Sequence, residues 1–389
     1  MQFRKFGNLN WIASALGFGC MRLPLLNPQE NSSIDETEAA SMLYYAIDQG
    51  INYLDTAYGY HGGNSERFLG RALKGGYREK VHLATKLPCW KVENSQDFNL
   101  LLNEQLGKLK TDHIDFYLLH GLNAESWHKM RDLDVIPWAQ SAIADGRIQH
   151  LGFSFHDKTE VLMEIIDAYD GWTLCQVQYN YIDIENQAGT QGVKYAASKG
   201  LAVITMEPIL GGRLVNPPEE IQALWNTSPR KRSPADWALQ WLWNQPEVTV
   251  ALSGMSTMSQ VKENLASADQ SGVNTFTNDD LALVGRVREQ YLALSPIPCN
   301  KCNYCMPCPN GVNIPRVFET YNRGLIYNHQ DEARQDYTRW IPELEQANNC
   351  IACKDCEELC PQNILISQWM PVVHEVLGEG KPYVKNLQS

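Results

Sequence analysis

The chain has 389 residues, 44% of them hydrophobic and 20% charged, an ordinary globular composition with room for one large domain and a small one. A net charge of -12 argues against a nucleic-acid or anionic-membrane surface as partner, because both select an excess of Lys and Arg. No apolar run reaches the roughly 18 residues of a bilayer span, and the opening MQFRKFGNLNW lacks the apolar core of a secretion signal, so a cytoplasmic protein is expected.

In chain order, RKFGNLNWIASALG holds two short alternating runs around Gly7–Asn10 and reads as a hairpin plugging the bottom of a barrel. Strand-like runs follow at Ala15–Gly19, Ile51–Ala57, Val81–Leu87, Ile114–His120, Gln149–Phe155, Leu174–Asn180, Leu201–Pro208 and Val248–Gly254. Most starts lie roughly 30 residues apart, the length of a strand–helix–strand unit. Helical stripes lie between them. Ala39, Met42, Leu43, Ala46 and Ile47 follow a capping-box arrangement at Ser33 and Glu36. Phe98, Leu101, Leu102, Leu106 and Leu109 form a second stripe, and Val161, Leu162, Ile165, Ile166 and Tyr169 a third. Eight such repeats close most economically into a (β/α)8 barrel. The rival is a doubly wound open sheet, which would carry a G-x-G-x-x-G turn after a strand, and the sequence has none. Gly211 to Arg232, with Pro217, Pro218 and Pro229, reads as a long polar loop. Asp279–Tyr291 reads as one more helix. Composition changes abruptly after Pro296, which divides the chain into a barrel over 1–295 and a second module over 296–389.

Four side chains gather at the predicted strand ends. Asp55 ends the second strand, Lys86 the third and His120 the fourth, and Tyr60 lies on the loop beyond Asp55. In a (β/α)8 barrel these ends share one face, where catalysis takes place. Parallel barrel strands are otherwise apolar, so the shared position outweighs the reading of each residue alone as an ion pair, a rim tyrosine or a core histidine. An ammonium beside a phenol favours the phenolate and lowers its pKa from about 10. Asp55 would fix Lys86, and His120 would orient a substrate oxygen.

The stretch DTAYGYHGGNSE resembles the signature of the aldo-keto reductases, as do the placed lysine and histidine and the opening FRKFGN…ALGFGCMRLP. The resemblance covers about residues 1–270. It implies a general acid/base at Tyr60, tuned by Lys86 and Asp55, with His120 orienting a carbonyl. It also implies NADP or NAD bound at the barrel mouth without a Rossmann domain. By the same resemblance Ser154 and Gln176 hold the nicotinamide carboxamide. Two departures stand out: Phe155 replaces the common asparagine after that serine, and Met206 replaces the aromatic on which the nicotinamide stacks. Gly211 and Gly212 would admit a pyrophosphate, though two turn glycines would read the same way. SGMSTMSQVKEN matches the family's adenosine-end motif, with Ser253, Gly254, Gln260 and Asn264 as contacts. Gly254 and Gln260 stand where NADPH-preferring members place Lys or Arg, so the choice of nucleotide stays open; Arg213 and Lys262 are the nearest basic residues in sequence.

Eight of the eleven cysteines crowd near the C-terminus. Cys299, Cys302, Cys305 and Cys308 form C-x2-C-x2-C-x2-C before Pro309. Cys350, Cys353, Cys356 and Cys360 form C-x2-C-x2-C-x3-C before Pro361, the bacterial run for a [4Fe–4S] cluster. In two-cluster ferredoxins the distal cysteine of each run serves the other cluster. One cluster is therefore expected on Cys299, Cys302, Cys305 and Cys360, and the second on Cys350, Cys353, Cys356 and Cys308. A pair of zinc sites is the alternative. Helices are expected at Val317–Asn322 and Asp331–Arg339, and the long spacer resembles the α-helical ferredoxin module fused to one branch of the aldo-keto reductases. The stretch after Met370 carries no assignment.

The combined expectation is an oxidoreductase that reduces a carbonyl or oxidises an alcohol with a nicotinamide cofactor. Two [4Fe–4S] clusters would exchange electrons with a redox partner, a ferredoxin or flavoprotein. The alternative is an electron-transfer or redox-regulatory protein whose barrel is only a binding scaffold. Trp90, just past the third strand, is a candidate wall for an aromatic substrate.

Overall fold

A computed structural model describes residues 1–299, 301 and 303–387. It divides into two compact units, one of Met1–Gly211 with Ala235–Phe276, the other of Gly212–Pro234 with the chain from Thr277 onward.

In the first unit, β1 (Phe3–Lys5) and β2 (Ile12–Ser14) pair antiparallel. Eight parallel strands follow: β3 (Leu16–Gly19), β4 (Tyr53–Asp55), β5 (His82–Leu87), β6 (Ile114–Leu122), β7 (Ile148–Phe155), β8 (Leu174–Gln178), β9 (Ala202–Met206) and β10 (Val248–Gly254). They close in sequence order, with β10 joined to both β9 and β3. All eight predicted strands are present, with no end moved by more than two residues. Inside the barrel, Phe6, Tyr53, Ala84, Phe116, Leu174, Ile204 and Val250 form one buried cluster. Phe6 comes from the hairpin turn and stacks on Phe116 with ring centroids 4.7 Å apart, while Trp11 stacks on His82 at 4.0 Å. Both contacts lie where the strands begin, so the hairpin does plug the bottom, as expected. Phe116 also has Tyr53 and His150 rings at 5.8 and 5.4 Å. We predict that Phe116→Ala costs the barrel about 3–5 kcal/mol through an unfilled cavity. Urea unfolding followed by tryptophan fluorescence checks this, and a loss under about 1 kcal/mol would show a core that collapses freely.

The outer helices bury the expected stripes. In the helix Glu36–Asp48 the buried positions are Ala39, Met42, Leu43, Ala46 and Ile47. Its cap differs from expectation: Asp35, not Ser33, accepts from the Glu38 N–H. Ser33 instead holds its own loop, donating to the Asn27 and Glu30 carbonyls. No helix among the described residues is long and apolar enough to cross a membrane.

The second unit is mainly helical. Gly211–Arg232 is not the simple loop that its prolines suggested, because Glu219–Asn226 is a helix that starts after Pro218 and buries Ile221 and Trp225. The expected helices appear as Asn278–Ala293, Ile314–Ile326 and Gln330–Trp340. A further helix, Ile366–Leu377, runs through Pro371 and buries Trp369, Met370, Val373, Val376 and Leu377. These side chains, with Val317, Phe318, Tyr321 and Tyr337, make this unit's own core.

Candidate active site

Parallel closure puts the strand C-termini on one rim. Asp55 closes β4, opposite Gly19 of β3 and Ala84 of β5. Lys86 sits next to last in β5, and His120 lies in β6 two residues before its end. Lys86 is buried and its ammonium has three donors. One reaches Asp55 Oδ1 at 2.6 Å, one the Thr56 carbonyl at 2.8 Å, and one the Tyr60 hydroxyl at 3.3 Å. The other Asp55 oxygen, Oδ2, accepts from Gln176 Nε2 at 2.9 Å. The carboxylate therefore fixes the lysine, and the lysine points its remaining donor at the phenol. The His120 ring lies edge-on to Tyr60, centroids 6.1 Å apart, and the ring of Trp90, 59% exposed, lies 5.0 Å from that of His120.

The electrostatics correct one expectation. Burial pushes the Tyr60 phenol up, and although the Lys86 charge pulls it down, the net direction is upward from about 10. The sequence argument weighed the ammonium and omitted desolvation. Burial also pushes Lys86 down, but Asp55 and Tyr60 more than offset it, so it stays charged. Burial, then the charges of Lys86 and His156, hold His120 well below the usual imidazole range. His120 is thus a neutral ring at pH 7, with one N–H to donate. Its buried Nδ1 has no hydrogen-bond partner among the described residues.

The motif's closing Ser65-Glu66 braces the site from below. Ser65 Oγ donates to the Cys20 carbonyl at 3.0 Å and lies 2.8 Å from Thr56 Oγ1. Glu66 Oε1 accepts from Thr85 at 2.7 Å and from Gln105 at 2.6 Å, and Gln105 Nε2 also donates to the Lys86 carbonyl at 3.0 Å. Burial pushes the Glu66 carboxyl up. Sequence reasoning quoted this pair without assigning it a task. It gave no task to His156, which directly follows the end of β7.

The residues named for a nicotinamide fall on adjacent strands, Ser154 opposite Gln176. Ser154 Oγ accepts the Gly121 N–H at 2.7 Å, and the buried Gln176 Oε1 has no partner among the described residues. A buried acceptor without a donor is costly unless a ligand supplies one, and a carboxamide NH2 is such a donor. Ser253 and Asn264 bond each other at 3.1 Å, and Gln260 Oε1 accepts the Ser256 N–H at 2.8 Å. Gly254 has no room for a side chain to spare, since a Cβ there would lie 3.2 Å from the Arg22 Cβ. Gly211 and Gly212 both take positive φ, 66° and 102°, so backbone conformation favours glycine at these positions. Of the basic residues near in sequence, Arg213 is ion-paired to Glu332 within the second unit, and Lys262 Nζ lies 5.6 Å from the Tyr45 ring. Arg22, which the sequence reading passed over, is exposed beside Gly254.

In the second unit the cysteines line two cavities. Cys299, Cys305 and Cys360 share one, with Ile314 and Phe318. Cys308, Cys350, Cys353 and Cys356 share the other, with Ile351 and Met370. Each run's distal cysteine thus faces the other run's cavity. Cys302 lies outside the described residues. The lone cysteines Cys20, Cys89 and Cys175 are buried, and burial pushes the Cys89 and Cys175 thiols up to about 12.

Comparison with known proteins gives the family. The profile of the Aldo/keto reductase family matches residues 15–284. The chain belongs to the aldo/keto reductase family. A 4Fe-4S dicluster domain matches residues 298–365, so an iron–sulfur module follows the reductase barrel. Similar curated proteins include L-galactose dehydrogenase of Arabidopsis thaliana, 25% identical over 290 residues, covering 69% of this chain and 89% of that one. Another is 6-dehydroglucose reductase of Novosphingobium aromaticivorans, 28% identical over 284 residues, covering 67% and 88%. The holo form of aldo-keto reductase AKR11C1 from Bacillus halodurans superposes with a TM-score of 0.62 at 25% identity, covering 74% of this chain and 96% of that one. This aldo/keto reductase is therefore an oxidoreductase with a small-molecule carbonyl or alcohol as its class of substrate, joined to an iron–sulfur electron-transfer module.

Proposed function

We propose that the barrel reduces a carbonyl, or oxidises the matching alcohol, with NADPH or NADH. The observation that carries this reading is the Lys86 ammonium, held by Asp55 and Thr56 and directed at the Tyr60 hydroxyl. The nicotinamide, held by Ser154 and the free acceptor of Gln176, would supply the hydride. Tyr60 gives its hydroxyl proton to the carbonyl oxygen as that oxygen becomes an alkoxide. The charged Lys86 stabilises the phenolate left behind, and Asp55 keeps Lys86 charged and in place. Neutral His120 donates its N–H to the same oxygen and orients it. Hydride and proton together convert the carbonyl to the alcohol, and the reverse balances equally.

The reading extends to the iron–sulfur module: two [4Fe–4S] clusters, one on Cys299, Cys302, Cys305 and Cys360, the other on Cys350, Cys353, Cys356 and Cys308. They would pass single electrons to or from a ferredoxin or flavoprotein in the cytoplasm. What supports the crossed ligand sets is the pair of cavities, each lined by cysteines of both runs or by the distal cysteine of the other.

The test is anaerobic oxidation of NADPH and of NADH, followed at 340 nm, with a panel of sugar carbonyls, aromatic aldehydes and quinones. Turnover of one nucleotide with at least one carbonyl is expected. The pH profile carries a sign. Reduction needs Tyr60 protonated, and burial holds its pKa above the usual value of about 10. The rate of reduction should stay level through neutral pH and fall only in strong alkali, while alcohol oxidation rises over that same alkaline range. A reduction rate that halves near pH 7–8 would mean that the lysine charge, not burial, sets the phenol.

A further inference from the structure

His61 follows the proposed acid Tyr60 and has no part in the chemistry above. It is 1% exposed and sits at φ 52°, a left-handed conformation that a residue with a Cβ rarely holds without help. The help is visible. Nδ1 lies 2.7 Å from the Asn31 carbonyl, and Nε2 lies 3.2 Å from the Leu23 N–H. A carbonyl only accepts and an N–H only donates, so both contacts are met by one neutral tautomer, protonated on Nδ1.

The Leu23 N–H belongs to the same peptide unit as the Arg22 carbonyl. That carbonyl accepts from Ser256 Oγ at 2.7 Å. A peptide unit is planar and stiff, so a force on one side of it is felt on the other. Ser256 lies in the stretch 253–264 read as the adenosine-end contact, and its own N–H is held by Gln260. The loop carrying this peptide is itself ordered. Leu25 bridges Ile34, the Leu26 N–H donates to the Ser33 carbonyl at 2.8 Å, and Asn64 Nδ2 donates to the Ser32 carbonyl at 3.0 Å. One peptide unit therefore joins the nucleotide stretch to the residue next to Tyr60.

We propose that His61 is a positioning residue that couples the adenosine end of the nucleotide to the proton donor, through the Arg22–Leu23 peptide and Ser256. A nucleotide seated against 253–260 steadies Ser256, Ser256 steadies the peptide, and the peptide holds the imidazole and the turn presenting Tyr60. The inference rests on the nucleotide placement proposed above.

The experiment is a double-mutant cycle on the full chain with clusters, using His61→Ala, Ser256→Ala and the pair, read as kcat at saturating nucleotide and carbonyl and as nucleotide Kd by fluorescence. His61→Ala should lower kcat about 10- to 100-fold and Ser256→Ala about 3- to 10-fold, with the pair no worse than His61→Ala alone. His61→Gln should recover part of the kcat, because its longer side chain can place an amide oxygen where Nε2 lies and accept the Leu23 N–H. A residue that served only stability would give losses that disappear once the folded fraction, measured by circular dichroism, is taken into account. If wild type binds nucleotide but the two losses multiply in the pair, or His61→Gln is as slow as His61→Ala with its fold intact, the coupling is wrong and the nucleotide reading survives. If wild type binds no nicotinamide dinucleotide, the nucleotide reading falls and takes the coupling with it.

Discussion

Tyr60→Phe is expected to lower kcat for carbonyl reduction about 10³-fold, within the range of a positioned general acid, while nucleotide affinity changes less than about threefold. The substitution removes one oxygen and leaves the ring edge against His120. Among the described residues no backbone hydrogen bond depends on that oxygen, whose partner is Lys86 Nζ at 3.3 Å. The loss therefore reports the proton and not the fold. Lys86 acts through the phenol, so Lys86→Met added to Tyr60→Phe should slow the enzyme little further, whereas on wild type it should cost nearly as much as Tyr60→Phe does. Steady-state rates with the best carbonyl of the panel, and fluorescence titration of the nucleotide, check both parts. A Tyr60→Phe enzyme that kept a tenth or more of wild-type kcat would falsify Tyr60 as the acid. It would favour a barrel that binds nucleotide as a scaffold and leaves the redox work to the iron–sulfur module.

The barrel could be read from the sequence because its strands are buried on both faces and so appear as unbroken apolar runs. Any ionisable residue at the end of such a run stands out, as Asp55, Lys86 and His120 do. What the runs could not show was how deeply the rim is buried. The phenol's net shift is a contest between desolvation and an ammonium at 3.3 Å, and only coordinates weigh the two. Proline misled at one place. Pro217 and Pro218 suggested a loop, yet Glu219 and Glu220 in a first turn with Ile221, Leu224 and Trp225 at helical spacing were a helix signal at hand. The stretch after Met370, left without assignment, belongs to the helix Ile366–Leu377, whose stripe of Trp369, Met370, Val373, Val376 and Leu377 is buried although Pro371 lacks an N–H. The His61 clamp had no sequence signal, because its two partners are backbone atoms of residues 23 and 31. The glutamate brace is similar in part: Glu66 was in the quoted motif, but Gln105 reaches it from a helix whose apolar stripe drew all the notice.

The cysteines yield the second large effect. If each cluster takes three thiolates from one run and the fourth from the other, Cys360→Ala should damage the cluster of Cys299 and Cys305 and spare that of its own neighbours Cys350, Cys353 and Cys356. The mirror variant, Cys308→Ala, should damage the cluster of Cys350, Cys353 and Cys356. Each single variant, purified without oxygen, should fall from about eight irons per chain toward about four. The decisive comparison is spectroscopic. The EPR signal remaining in reduced Cys360→Ala should match that of Cys299→Ala, and the signal of Cys308→Ala should match that of Cys353→Ala. The opposite pairing, Cys360→Ala matching Cys353→Ala, would place the fourth thiolate within its own run. The cavities favour the crossed outcome, because Cys360 lines the one that holds Cys299 and Cys305, and Cys308 lines the one that holds Cys350, Cys353 and Cys356. The crossed arrangement also has a mechanical consequence. Each cluster then ties residues about 50 positions apart, so losing either one releases a long loop of this small unit and should lower its thermal stability as a lost crosslink does, by about 2–5 kcal/mol on the scale of a removed disulfide. With uncrossed ligands each cluster would close only its own short run, and its removal would destabilise the helices Ile314–Ile326 and Ile366–Leu377 far less.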